Sequence, residues 1–99
     1  MGYPRCVLCP TPLSRLCDSQ QRPYFLWDCD VTLPELRGYL ASNEDAQRAY
    51  WVAKLMRQAK PDDALVIVGA DEMRRLWSLI AHTLGRTRAF WTWYLEWAR

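Results

Sequence analysis

A chain of 99 residues has room for one domain and little more. Hydrophobic residues make up 51% and charged residues 24%, and 13 basic against 11 acidic residues leave a net charge of +2. That balance excludes a disordered chain and is too mild to announce a nucleic-acid or membrane partner. Six tryptophans and four cysteines are many for this length. The one histidine, His82, rules out a His-rich metal site and multi-histidine acid–base chemistry.

In chain order, residues 1–30 come first as a Cys/Pro-rich segment, with all four cysteines and four of the six prolines. Such a segment reads as loop or knuckle. It lacks the apolar stretch and small-residue cleavage site of a signal peptide, so the expected address is the cytosol, where thiols stay reduced. No apolar run approaches the about 18 residues of a membrane span. The cysteines, at Cys6, Cys9, Cys17 and Cys29, have C-x2-C-x7-C-x11-C spacing. A C-x2-C pair places two thiolates on one side of a tight turn, as tetrahedral zinc requires, and four thiolates would close a structural site. The other reading is free structural thiols, because Cys17 and Cys29 stand alone and Cys29 lies in an apolar-flanked stretch. Asp28 and Asp30 flank Cys29 and read as turn caps or arginine partners, since no further carboxylates cluster there to hold magnesium.

From residue 31 the pattern becomes helical, which divides the chain into a Cys-containing segment, 1–30, and a helical domain, 31–99. Thr32-Leu33-Pro34-Glu35 is a capping box with proline in the first turn, and Leu33, Leu36 and Leu40 follow on one face. Ser42-Asn43-Glu44-Asp45 signals a second start. Beyond it Ala46, Ala49, Tyr50, Ala53 and Met56 form a stripe that Pro61 ends. Residues 64–68 carry a β-branched Val-Ile-Val run, yet Asp62 and Asp63 before it suit a helix start. A short helix is predicted, with a strand paired to residues 24–27 as the alternative. Residues 70–84 read as one amphipathic helix with Met73, Leu76, Trp77, Ile80 and Leu84 inward and Gly85 as its stop. A last helix over about 87–97 sets Phe90, Tyr94 and Trp97 on one face, flanked by Trp91 and Trp93. The predicted class is mainly α: a small bundle of three main helices plus short helices, with an irregular N-terminal segment.

Chemistry-bearing motifs are few. There is no nucleophile elbow, no Gly-rich phosphate loop and no H-E-x-x-H, and His82 reads as a surface residue. An enzyme is therefore not expected. Residues 1–50 carry five basic and six acidic residues, whereas residues 51–99 carry eight and five. Arg74, Arg75, Arg86 and Arg88 gather around the turn between the last two helices, an arrangement similar to a helix-turn-helix facing phosphates. The second helix, however, offers Trp91, Trp93, Tyr94 and Trp97 where a groove-reading helix offers polar side chains. Trp91 and Trp93 lie about 200° apart on a helix, so both cannot point inward. An outward indole is a favoured anchor for a protein partner.

From Tyr24 to the C-terminus, about three-quarters of its length, the chain resembles a group of small bacterial proteins whose genes often lie beside abortive-infection-type nucleotidyltransferase toxins. The resemblance is carried by Phe25-Leu26-Trp27-Asp28-Cys29-Asp30, Arg48-Ala49-Tyr50-Trp51, Pro61-Asp62-Asp63, Glu72-Met73-Arg74-Arg75-Leu76-Trp77 and Arg88-Ala89-Phe90-Trp91. It implies an antitoxin-like or accessory binding partner of such a toxin and carries no catalytic residues. Cys29 occupies the variable position of that group's Trp-Asp-x-Asp opening, which counts against it as a dedicated zinc ligand. The expected function is a non-enzymatic protein–protein interaction module that binds through Trp91, Trp93, Tyr94 and Trp97. The alternatives are nucleic-acid binding through Arg74, Arg75, Arg86 and Arg88, and an accessory subunit of a larger assembly.

Overall fold

The computed structural model describes residues 9–98. The described chain is mainly helical, with no named strand. Its α-helices are α1 (Leu13–Leu16), α2 (Leu33–Leu40), α3 (Asp45–Gln58), α4 (Pro61–Ile67), α5 (Ala70–Arg75), α6 (Trp77–Ile80) and α7 (Arg88–Trp97). Short 3-10 turns occur at Tyr24–Leu26, Ala81–Thr83 and Gly85–Thr87. Among the described residues no helix is long and apolar enough to cross a membrane.

The helix α2 begins as the sequence predicts. Thr32 Oγ1 accepts from the Glu35 backbone N–H at 3.3 Å, and Glu35 accepts from the Thr32 N–H at 2.9 Å. The start of α3 needs correction. Ser42 is consumed in the exit from α2, its N–H bonding back to Tyr39, and its hydroxyl accepts from Glu44 instead of capping a helix at Asn43. The buried stripe of α3 shifts accordingly. Ala49, Val52, Ala53, Leu55 and Met56 face inward, while Ala46 and Tyr50 are exposed. Tyr50 instead meets Trp51 edge-on, and Trp51 stacks on Tyr39 of α2.

Residues 64–68 fall to the helical reading: α4 starts at Pro61, whose fixed φ suits a first turn. Its two first-turn aspartates do not cap their own helix. Asp62 accepts from the Cys9 N–H at 2.7 Å, and Asp63 accepts from Thr11 and Tyr24.

The predicted single helix over 70–84 is three pieces. Leu76, at φ −95° and ψ 7°, separates α5 from α6, and the 3-10 turn Ala81–Thr83 follows. Met73, Leu76, Ile80 and Leu84 are nonetheless all buried and Trp77 is half-buried, so the predicted inward stripe survives the breaks.

One apolar core joins every part of the described chain. Leu16, Phe25 and Leu26 from the N-terminal segment pack with Leu36 of α2, the α3 stripe, Ala64, Met73, Leu76, Ile80 and Leu84, and with Trp91 and Leu95 of α7. Polar ties cross the change of composition at residue 31. Lys54 Nζ meets Asp28 at 2.8 Å, and the Gln58 amide donates to the Phe25 carbonyl at 2.7 Å.

Candidate protein-binding surface

The sequence of α7, Arg-Ala-Phe-Trp-Thr-Trp-Tyr-Leu-Glu-Trp, is apolar on more than one side. Residues four apart share a face, so Trp91 and Leu95 go inward together. Trp91 is 1% exposed, and its indole Nε1–H donates to the Met56 carbonyl of α3 at 2.9 Å. That bond satisfies the one polar atom a buried tryptophan carries. Trp91 is therefore a core residue, which corrects the expectation that it serves as a surface anchor.

The opposite face of α7 remains at the surface. Trp93 is 57% exposed, Trp97 50% and Phe90 39%, and Tyr94 sits half-buried at the edge. These rings touch one another. Trp93 and Trp97 stack at 5.8 Å between centroids with planes 14° apart. Phe90 lies 6.0 Å from both Trp93 and Tyr94. Trp97, expected on one face with Phe90 and Tyr94, also lies outward, because the inward positions belong to Trp91 and Leu95.

The four arginines separate into two pairs. Arg74 spends its guanidinium inside the fold, donating from Nε and Nη2 to the Leu95 carbonyl at 3.2 and 3.0 Å and from Nη1 to Asp71. It thereby caps a carbonyl in the last turn of α7, which has no helical partner of its own. Arg75 bridges Glu72 and Asp45, and Arg48 pairs with Glu72 from the other side, tying α3 to α5. The bond from Arg75 holds the carboxyls of both Glu72 and Asp45 below their ordinary values. Arg86 and Arg88 are exposed and make no ion pair among the described residues. The predicted helix-turn-helix is replaced by α6 and two 3-10 turns leading into α7.

Cys9, Cys17 and Cys29, the cysteines among the described residues, do not form a three-ligand group there. Cys6 lies outside those residues. The Cys9 backbone is held by Asp62, whereas Cys17 and Cys29 line an open cleft of about 440 Å³ together with Tyr24, Leu26 and Trp27. No three His, Cys, Asp or Glu side chains among the described residues group closely enough to hold a metal ion. Burial pushes the Cys17 and Cys29 thiols up, so both stay protonated at neutral pH. Asp28 and Asp30 behave as ion-pair partners, Asp28 of Lys54 and Asp30 of Arg22. His82 is exposed, as its sequence context predicts.

Two surface features escaped the sequence reading. Trp27 is 75% exposed, yet its neighbours Phe25 and Leu26 are buried, and the apolar run gave no signal for which ring faces out. Arg86 precedes Phe90 by one helical turn and so heads the aromatic stripe, a relation visible only once residues 85–87 are seen to be helical. The chain matches no protein-family model, no curated protein and no solved structure.

Proposed function

We propose that this chain is a non-enzymatic protein-interaction module, antitoxin-like or accessory to a toxin or defence protein. It binds its partner through the outward face of α7. The observation that carries the reading is the contiguous group of Phe90, Trp93 and Trp97 on the face of α7 opposite Trp91 and Leu95. Adjacent large rings left in water form the kind of patch that marks an interaction site. Tryptophan is also enriched among residues whose truncation costs most binding energy. The resemblance of residues 24–99 supplies the partner class, a nucleotidyltransferase-type toxin.

The nucleic-acid alternative has less support, since Arg74 and Arg75 are spent on carbonyl and carboxylate partners within the fold. A structural zinc on Cys6, Cys9, Cys17 and Cys29 is a separate proposal. About one zinc per chain in protein purified without chelators supports it, and metal-free folded protein overturns it.

The test of the main reading is co-purification with a nucleotidyltransferase-type toxin, the partner class that the resemblance implies. The wild-type chain is expected to be captured, and Trp93→Ala/Trp97→Ala is expected to lose capture at least about tenfold while melting within a few degrees of wild type. Equal capture of the two proteins overturns the reading. Binding to nucleic acid that falls steeply with salt, in place of toxin capture, selects the alternative.

A further inference from the structure

We propose that the outward face of α7 pairs antiparallel with the same face of a second copy of this chain, about a two-fold axis between Phe90 and Trp93. This rests on the reading of that face as a binding surface and names an occupant for it.

The first argument is spacing. Arg86, Phe90, Trp93 and Trp97 follow one another at four, three and four residues, the rhythm of a helix–helix seam. The 3-10 turn Gly85–Thr87 runs directly into α7, so Arg86 continues the stripe. A four-three-four seam reads the same from either end. Laid antiparallel on itself, it sets Phe90 opposite Trp93 and Arg86 opposite Trp97. Both are pairings that rings and guanidinium groups favour: offset aromatic contact in the first case, a cation over an indole face in the second.

The second argument is charge. Arg86 stands exposed at one end of the stripe and Glu96 at the other, and neither makes an ion pair among the described residues. The antiparallel register brings each Arg86 to the Glu96 of the other copy, and the two-fold axis makes that pair twice. A parallel register sets like charges on each other, and a wholly apolar partner leaves both charges unmet. The face is thus complementary to itself in charge as well as in residue spacing.

Area sets the strength. Rings of about 150–250 Å² each, exposed by 39 to 57%, offer about 300 Å² per copy. That is well short of the about 800 Å² per partner of a standard interface. The dimer is therefore weak and concentration-dependent, which leaves the face accessible to a tighter partner.

Analytical ultracentrifugation of the full chain over a wide concentration range tests the pairing. The expected result is a monomer–dimer equilibrium with a dissociation constant in the micromolar range or above. Trp93→Ala is expected to weaken it about tenfold or more. Arg86→Glu and Glu96→Arg are each expected to weaken it about fivefold, and the double charge swap to restore it to within about twofold of wild type. A chain that stays monomeric at every concentration overturns the inference, as does a dimer indifferent to Trp93→Ala or a double swap no better than the singles. A monomeric chain whose capture of the toxin still depends on Trp93 discards the second copy and keeps the reading of the face. A dimer of the expected kind that fails to capture the toxin does the reverse.

Discussion

Trp91 and Trp93 stand two positions apart on α7, one sealed in the core and one in water. Truncating them separates stability from recognition. Trp91→Ala removes a full indole and strands the Met56 carbonyl, so it is expected to cost about 3–5 kcal/mol in a urea titration. Trp93→Ala lies at the surface and is expected to stay within about 0.5 kcal/mol of wild type in the same titration. The sequence made it clear that the two could not share a side. It did not say which went inward, because both sides of α7 are rich in rings, and the neighbour that decides is the Met56 carbonyl on another helix. Asp63 makes a second residue-scale case. It is 2% exposed, and burial pushes its carboxyl up, but bonds from Thr11 and Tyr24 outweigh that and hold it below its ordinary value of 3.8. Asp63→Asn swaps one acceptor oxygen for a donor facing Thr11 or Tyr24 and is expected to cost about 2 kcal/mol.

At the scale of elements, starts were easier to read than breaks. Thr32, Pro34 and Glu35 carry their own capping geometry within four residues, so the start of α2 was legible, and Pro61 announced α4 in the same way. The break at Leu76 was not. Residues 70–84 contain neither proline nor glycine, and the inward stripe keeps its rhythm through the interruption. What bends the chain is packing. Met73, Leu76, Ile80 and Leu84 all reach one core while Arg74 is drawn to the end of α7 and Arg75 to α3. The entry to α5 is sharper still, since Gly69 sits at φ +96°, a conformation that side chains with a β-carbon rarely adopt. A β-carbon there meets no atom within 4 Å, so Gly69→Ala isolates the backbone term. It is expected to lower stability by about 1–2 kcal/mol, seen as a shift of the urea midpoint with unchanged slope.

For the molecule as a whole, composition changes at residue 31 but the core does not. Leu16, Phe25 and Leu26 are buried with the helices, and Asp28 pairs with a lysine whose exposure is only a few per cent. A chain begun at residue 31 loses those side chains, leaves Lys54 without its carboxylate and is expected to melt without a cooperative transition. Prolines and cysteines hid this, because they describe local irregularity and say nothing of the leucines and phenylalanine among them. Acid is a second test at this scale. Folding holds Asp28, Asp45, Asp63 and Glu72 below their ordinary values, through Lys54 for the first, Arg75 for the second and fourth, and Thr11 and Tyr24 for the third. Carboxyls lowered by folding contribute fully above their unfolded values and lose that contribution as pH falls through the folded ones. Stability is therefore expected to be flat from neutral pH down to about 5 and to drop steeply below about 4, read as melting temperature against pH.

The near-parallel indoles of Trp93 and Trp97 carry a spectroscopic consequence. Two such chromophores at 5.8 Å couple their electronic transitions, and with their in-plane transition dipoles skewed about the line between them the coupling gives a pair of circular-dichroism bands of opposite sign. That signal overlaps the far-ultraviolet bands used to measure helix. Trp93→Ala will therefore change the apparent helix content even where no helical turn is lost, and a spectrum taken alone would misreport an intact variant as unfolded. The same couplet turns into an optical gauge once its origin is known. Its amplitude should change when a bound surface reorients either ring, so docking on this face can be followed in solution without any added label.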